Sequence, residues 1–196
     1  MPDLREFKWV GGQLALDFSN TCEWYEGEVD VEWLGDYARL VEWLRGSEHL
    51  HHYTAVDLIK RAAKKPEQAA AIYADVGTLR DAILAICIDR ERDTAALATI
   101  NRFAKEARAT QTVFWAGDHF VWEYASDDLR LPMWILAEAA AALLTSDDFS
   151  RVHQCAADDC SWLFVDTSRT GKRRWCDMAT CGNRAKARRH YNKGRD

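Results

Sequence analysis

Cys155, Cys160, Cys176 and Cys181 are the residues whose type and spacing speak most directly of chemistry, falling in a C-x4-C-x15-C-x4-C pattern. Thiolates are soft ligands that suit Zn²⁺, an ion that accepts tetrahedral geometry without electronic penalty. Two cysteines on one short turn reach the same ion without closing a long loop. Four cysteines fill all four positions and leave none for water, so the expected cofactor is one structural zinc ion rather than a catalytic one. The H-x-E and P-C-x-x-C pattern of a zinc deaminase does not occur. The other two cysteines, Cys22 and Cys87, stand alone and read as small buried hydrophobes. The "HLHH" stretch, His49 to His52, offers a second set of metal-capable groups, but its short spacing at a helix end fits a solvated surface cluster.

The last cysteine runs straight into Arg184, Lys186, Arg188, Arg189 and His190, in a chain whose formal net charge is -5. Charge divides the chain: residues 151–196 hold 11 Lys+Arg against 5 Asp+Glu, and residues 1–150 hold 15 against 26. The tail is therefore at +6 and the rest at -11. Such a tail can follow a phosphate backbone, and the candidate nucleic-acid-binding residues are Arg173, Arg174, Asn183, Arg184, Lys186, Arg188, Arg189 and Lys193. DNA is the expected partner; RNA would meet the same basic module, and a homodimer is the default for a DNA regulator. Some of these cations have an alternative use, since a zinc ion with four thiolates carries net charge -2 and arginines can neutralise it. That need accounts for about two or three charges of the excess.

Further back, the elements that must position this module are mainly helical. "LPMWILAEAAAALL" has Pro132 near a helix start and apolar residues at helical spacing, which predicts a buried helix over 132–145. "VEWLGDYARLVEWLRG" places Trp33, Leu34, Tyr37, Leu40, Val41 and Leu44 on one helical face and stops at Gly46. Weaker helical patterns cover 54–64, 67–88 and 93–109, and "TVFWAGDHFVWEY" alternates around residues 116–118 as a β-hairpin does. Within the cysteine module, a strand over 162–165, a turn over 168–171 and a returning strand through Arg174 and Trp175 are expected, then a helix that begins at the last ligand. The fold class is thus α+β: a mostly helical domain with a small antiparallel element over 1–148, then a treble-clef-like zinc finger over 149–196. The polar stretch "TSDDFSRV" marks the junction.

"GGQLALDFSNT" is readable as a strand or as a helix. Its Asp17, Asn20 and Thr21 are candidate ligand-pocket groups, though capping and turn formation are the commoner use of such residues. The nine tryptophans would suit an aromatic pocket and equally a core, which is where large aromatics usually lie. For an enzyme only scattered candidates exist, Asp17, Glu23 and His119, and no spacing ties them together. No basic-then-apolar leader opens the chain and no stretch approaches the ~18 apolar residues of a membrane span, so the expected location is the cytoplasm, without membrane association.

The stretch from Cys155 to Tyr191 closely resembles the CGNR zinc finger, whose signature stands here as Cys181-Gly182-Asn183-Arg184, and "LALDFSNT" resembles the start of the ABATE domain that precedes it. The resemblance implies a stress-induced transcription regulator with Cys155, Cys160, Cys176 and Cys181 as zinc ligands and DNA bound by the finger; the expected role of the first domain is to sense a small-molecule effector or a partner, the alternative being an enzyme with an N-terminal active site and the finger as a structural or docking element. Within the signature, Gly182 is expected to let the chain turn sharply, Asn183 to cap the helix or touch nucleic acid, and Arg184 to brace the cluster or contact phosphate. Asp166 is expected to form a salt bridge with an arginine.

Overall fold

In the computed structural model, which describes residues 7–25, 28–89, 93–124 and 127–193, the ambiguous "LALDFS" segment is a helix, α1 (Leu14–Ser19), and all six of its residues are buried. A hairpin follows, β1 (Cys22–Tyr25) paired antiparallel with β2 (Glu28–Glu32). Three helices come next: α2 (Tyr37–Gly46), α3 (His52–Lys64) and α4 (Pro66–Ile88). α5 (Thr94–Thr110) leads directly into a second hairpin of β3 (Gln111–Trp115) and β4 (Phe120–Tyr124), and α6 (Leu131–Thr145) closes the helical part. A single 3-10 turn (Asp147–Arg151) then delivers the chain to β5 (Val152–Gln154), which pairs antiparallel with β6 (Leu163–Val165). One turn of π-helix (Met178–Gly182) leads into α7 (Asn183–Lys193).

Local chemistry explains most of these limits. Asp36 accepts the Arg39 N–H at the start of α2, and Asp93 accepts those of Ala95 and Ala96 at the start of α5. Each supplies an acceptor to amides that have no partner within the helix. Pro66 and Pro132 occupy first-turn positions of α4 and α6, where a missing N–H costs nothing. α6 buries Leu131, Met133, Trp134, Leu136, Ala137, Ala140 and Leu143, a set that runs around much of the helix. A helix apolar on so many sides must be surrounded, and α6 packs against α5, α1, α4 and α2. α1 is held between α4, α6 and β6, so the strand of the cysteine module adds Leu163 and Val165 to the same core as the helices.

Several expectations need correcting. Trp33 and Leu34 do not belong to the α2 face: the helix begins at Tyr37, because Gly35 has φ +75 and Asp36 is an extended cap. The segment 172–175 is not a returning strand; β6 pairs instead with β5, the segment before the first cysteine. The short β1–β2 hairpin was not anticipated, although Val29 and Val31 alternate with Glu28, Asp30 and Glu32 along β2. The tryptophans divide. Trp43 and Trp134 are core, whereas Trp9, Trp115 and Trp122 are exposed; the side chain of Trp24 lies outside the described part. No helix among the described residues is long and apolar enough to cross a membrane.

Candidate metal centre and the cavity beside it

The four cysteine sulfurs converge from three pieces of chain. Cys155 follows β5, and Cys160 follows a tight turn closed by its own N–H donating to the Ala157 carbonyl at 3.1 Å. Cys176 ends the loop after β6, and Cys181 lies in the π turn that opens α7. Their ligand atoms all lie within 4.8 Å of one another. The Cys160–Cys176 and Cys176–Cys181 sulfur pairs stand 3.7 Å apart, which is about the edge of a tetrahedron with the Zn–S bonds of ~2.3 Å usual for such sites. Donor set and spacing both fit one structural zinc ion, whose binding holds otherwise unconnected loops together.

The shell around the sulfurs is built from N–H donors. The Cys176 amide donates to Cys155 Sγ at 3.4 Å and the Arg184 guanidinium to Cys181 Sγ at 3.4 Å. Such bonds orient thiolates and offset part of their charge. Arg184 also pairs with Asp159 at 3.0 Å, and Arg188 with the same carboxylate at 2.8 Å. These two arginines therefore clamp α7 to the turn between the first two cysteines. Arg173 has a different task. Its guanidinium lies 4.3 Å from the ring centroid of the fully buried Phe164 and donates to the carbonyls of Val165, Val10, Trp175 and Cys176.

Among the described residues Asp166 forms no salt bridge. It is buried, and its carboxylate accepts the backbone N–H groups of Ser168 and Arg173, each at 2.8 Å, which fixes the loop between β6 and the second cysteine pair. Hydrogen bonds from Ser168 keep its carboxyl below the usual carboxylate range. Nor does Gly182 supply a sharp turn, since its φ is not positive; a side chain there would meet the flexible end of Met178. Asn183 is exposed and donates to the Ala179 carbonyl at 3.1 Å. The helix-cap role falls instead to Asp177, which accepts the Ala179 N–H and the Thr180 hydroxyl.

Asp17, Asn20 and Thr21 come together at the seam between α1 and the finger. Asn20 makes a two-way bond with the Leu163 backbone, donating to its carbonyl at 2.9 Å and accepting its N–H at 2.7 Å. Thr21 donates to the Phe18 carbonyl and accepts from Arg80, a buried guanidinium paired with Glu32. Asp17 Oδ1 accepts the Gly11 N–H at 2.8 Å. Gly11 admits no side chain, because a Cβ would fall 2.8 Å from Leu16 Cβ and 2.9 Å from the Asp17 nitrogen. Its carbonyl in turn accepts the Val165 N–H, so one glycine joins α1 to β6. Burial pushes the Asp17 pKa up to about 6, against the lowering pull of the Gly11 and Val10 amides.

All three residues line one cavity of about 280 Å³. Its aromatic walls are Phe7, Trp33, Trp43 and Trp162, and it reaches Cys160, Cys176 and Cys181 on the finger side. Sequence reasoning offered the tryptophans as an aromatic pocket or as core but did not show which of them share one cavity, because only the fold brings residues near 7, 33, 43 and 162 together. Asp17 and Glu23 share the cavity, but His119 sits on the exposed β3–β4 hairpin beside Asp118 and is not among its lining residues. Among the described residues the only four-ligand set of this kind is the cysteine cluster; His49, His51 and His52 are exposed.

A closed four-thiolate centre, a short hairpin and a basic helix, joined to a helical body, define a structural zinc-finger protein. Residues 151–194 match the CGNR zinc finger, and residues 12–147 match the ABATE domain, described as "Putative stress-induced transcription regulator". The chain belongs to the ABATE family and carries a CGNR zinc finger. No curated protein matches it.

Proposed function

We propose that the chain regulates transcription by binding duplex DNA through the outer side of its finger, while the helical part, residues 1–148, senses a small ligand. The observation that carries this reading is how the finger distributes its cations. Arg184 and Arg188 point to Asp159, and with about 3.6 residues per turn Lys186 and Arg189 fall on the opposite side of α7. Both are exposed, as are Arg169, Lys172 and Arg174 on the loop before Cys176, and no ion pair holds any of the five among the described residues. Unpaired cations on a metal-pinned scaffold meet phosphates with little ordering cost, and each contact releases counterions.

Within the candidate set, Arg174, Lys186 and Arg189 are the phosphate contacts, and Asn183 lies exposed where α7 begins. Arg184 and Arg188 are paired at the surface, an arrangement worth only about 0–1 kcal/mol, so a phosphate can replace Asp159. Arg173 contributes by holding the loop. Lys193 closes α7, and its side chain lies outside the described part. The acidic helical part is repelled by a duplex, which orients the protein finger first. The test is binding of zinc-loaded protein to pooled duplex fragments at two salt concentrations, with an RNA pool alongside. Salt-dependent duplex binding with sequence enrichment supports the reading; preference for the RNA pool, or binding to neither, defeats it.

A further inference from the structure

The cavity between α1, the β1–β2 hairpin and the finger has features that the fold alone does not require. Two of its lining residues, Trp33 and Trp162, have indole nitrogens that are closed off from solvent and have no hydrogen-bond partner among the described residues. A buried unpaired donor costs roughly 1–3 kcal/mol. Its charge is also one-sided. Asp17, Glu23 and Asp159 line it, and so do three of the zinc-binding cysteines, against Lys8 and Arg184. With zinc bound, the four-thiolate cluster adds a net charge of about -2. Asp159 and Arg184 neutralise each other at 3.0 Å, which leaves Asp17, Glu23 and the cluster facing a single lysine.

We propose that this cavity is the effector site of the regulator, and that its ligand is a small organic cation, an amine or ammonium no larger than a bicyclic ring system. An anion would enter against the carboxylates and the thiolates, and two neutral indole donors do not outweigh that repulsion. A cation gains from the same charges, and aromatic walls are the kind of surface that recognises ammonium groups generally. Size follows from volume, since about 150 Å³ of apolar cavity takes a benzene. Because Cys160, Cys176 and Cys181 form part of the wall, occupancy is coupled to the finger, and any effect of the ligand on DNA affinity has an equal reciprocal.

This inference deepens the sensing half of the proposed function and rests on it. The experiment is calorimetric titration of zinc-loaded full-length protein, without DNA, with tryptamine and choline, and with indole-3-acetate as the anionic counterpart of tryptamine. The expected result is saturable one-to-one binding of at least one of the two amines, at least tenfold tighter than the anion. Asp17→Asn, which keeps an acceptor for Gly11, and Glu23→Gln should each weaken it by about fivefold or more. Zinc content measured on both variants confirms that the finger is intact. Equal or tighter binding of indole-3-acetate, no saturable binding of either amine, or amine binding unchanged in both variants would overturn the proposal. DNA binding without amine binding would remove the site and leave the regulator reading; amine binding without DNA binding would do the reverse.

Discussion

The helical part and the finger stabilise themselves by different means. The helical part surrounds α6 and α1 with apolar side chains from α2, α4 and α5, and its core includes Trp43, Phe18, Phe103 and Met133. The finger's own cluster has only Phe164 and three of the four cysteines buried, with Trp162 and Trp175 partly buried against them. So little apolar surface cannot offset the entropy of ordering some 40 residues. The finger substitutes a metal centre, the carbonyl-bound Arg173 and the amide-bound Asp166 for a core. Burial is non-directional and tolerant, whereas thiolate geometry and buried hydrogen bonds are not, so the two regions should respond differently to the same kind of damage.

The sharpest way to break this comparison is Cys176→Ser. Loss of one of four ligands should release the zinc and unfold the finger, a change of several kcal/mol for that part, while the far-ultraviolet circular dichroism of the helical part persists. Zinc retained at one ion per chain would refute the ligand assignment. Next comes Asn20→Ala, which deletes both bonds to the Leu163 backbone at the seam. It should cost about 2 kcal/mol, and hydrogen exchange should accelerate at Leu163 and Val165 ahead of α4 and α6.

Asp17→Asn tests the electrostatics of the seam. Because folding raises the Asp17 pKa to about 6, the folded state binds more protons between about pH 4 and 6, and stability falls as pH rises through that window. Asparagine removes this dependence but loses one acceptor. The variant should therefore be more stable than the parent by about 1–2 kcal/mol above pH 6 and no more stable below pH 4, as read from denaturant titrations. The smallest effect on stability belongs to Lys186→Ala with Arg189→Ala: thermal midpoint unchanged, and the slope of log affinity against log salt reduced by about 2. Arg184→Ala with Arg188→Ala should instead loosen α7 from the Cys155–Cys160 turn, and an equal loss of salt slope there would show that the whole cylinder meets the duplex.

What was legible in the sequence was what local spacing controls. The four ligands lie within 27 residues, and the helix ending at Gly46 and the one with Pro132 in its first turn follow signals that act within one turn. The β3–β4 hairpin was visible for the same reason. The β5–β6 pairing was not, because the partner of β6 lies across the cysteine turn and its three residues carry no pattern of their own. Asp166 was misread because a nearby arginine in sequence says nothing about which atom of it is near in space; the carboxylate meets the Arg173 backbone amide, not its guanidinium.

The sequence by itself determined the metal, its four ligands, the charge division and the helical character of the first part, since each depends on residue type and short spacing. Only the tertiary structure decided which cations are free and which are spent, and that Asp17, Asn20 and Thr21 face a cavity shared with the metal centre. Those properties depend on contacts between distant segments, such as Arg173 donating to the Val10 carbonyl 163 positions away, and such contacts are set by how α1 is enclosed rather than by any local preference.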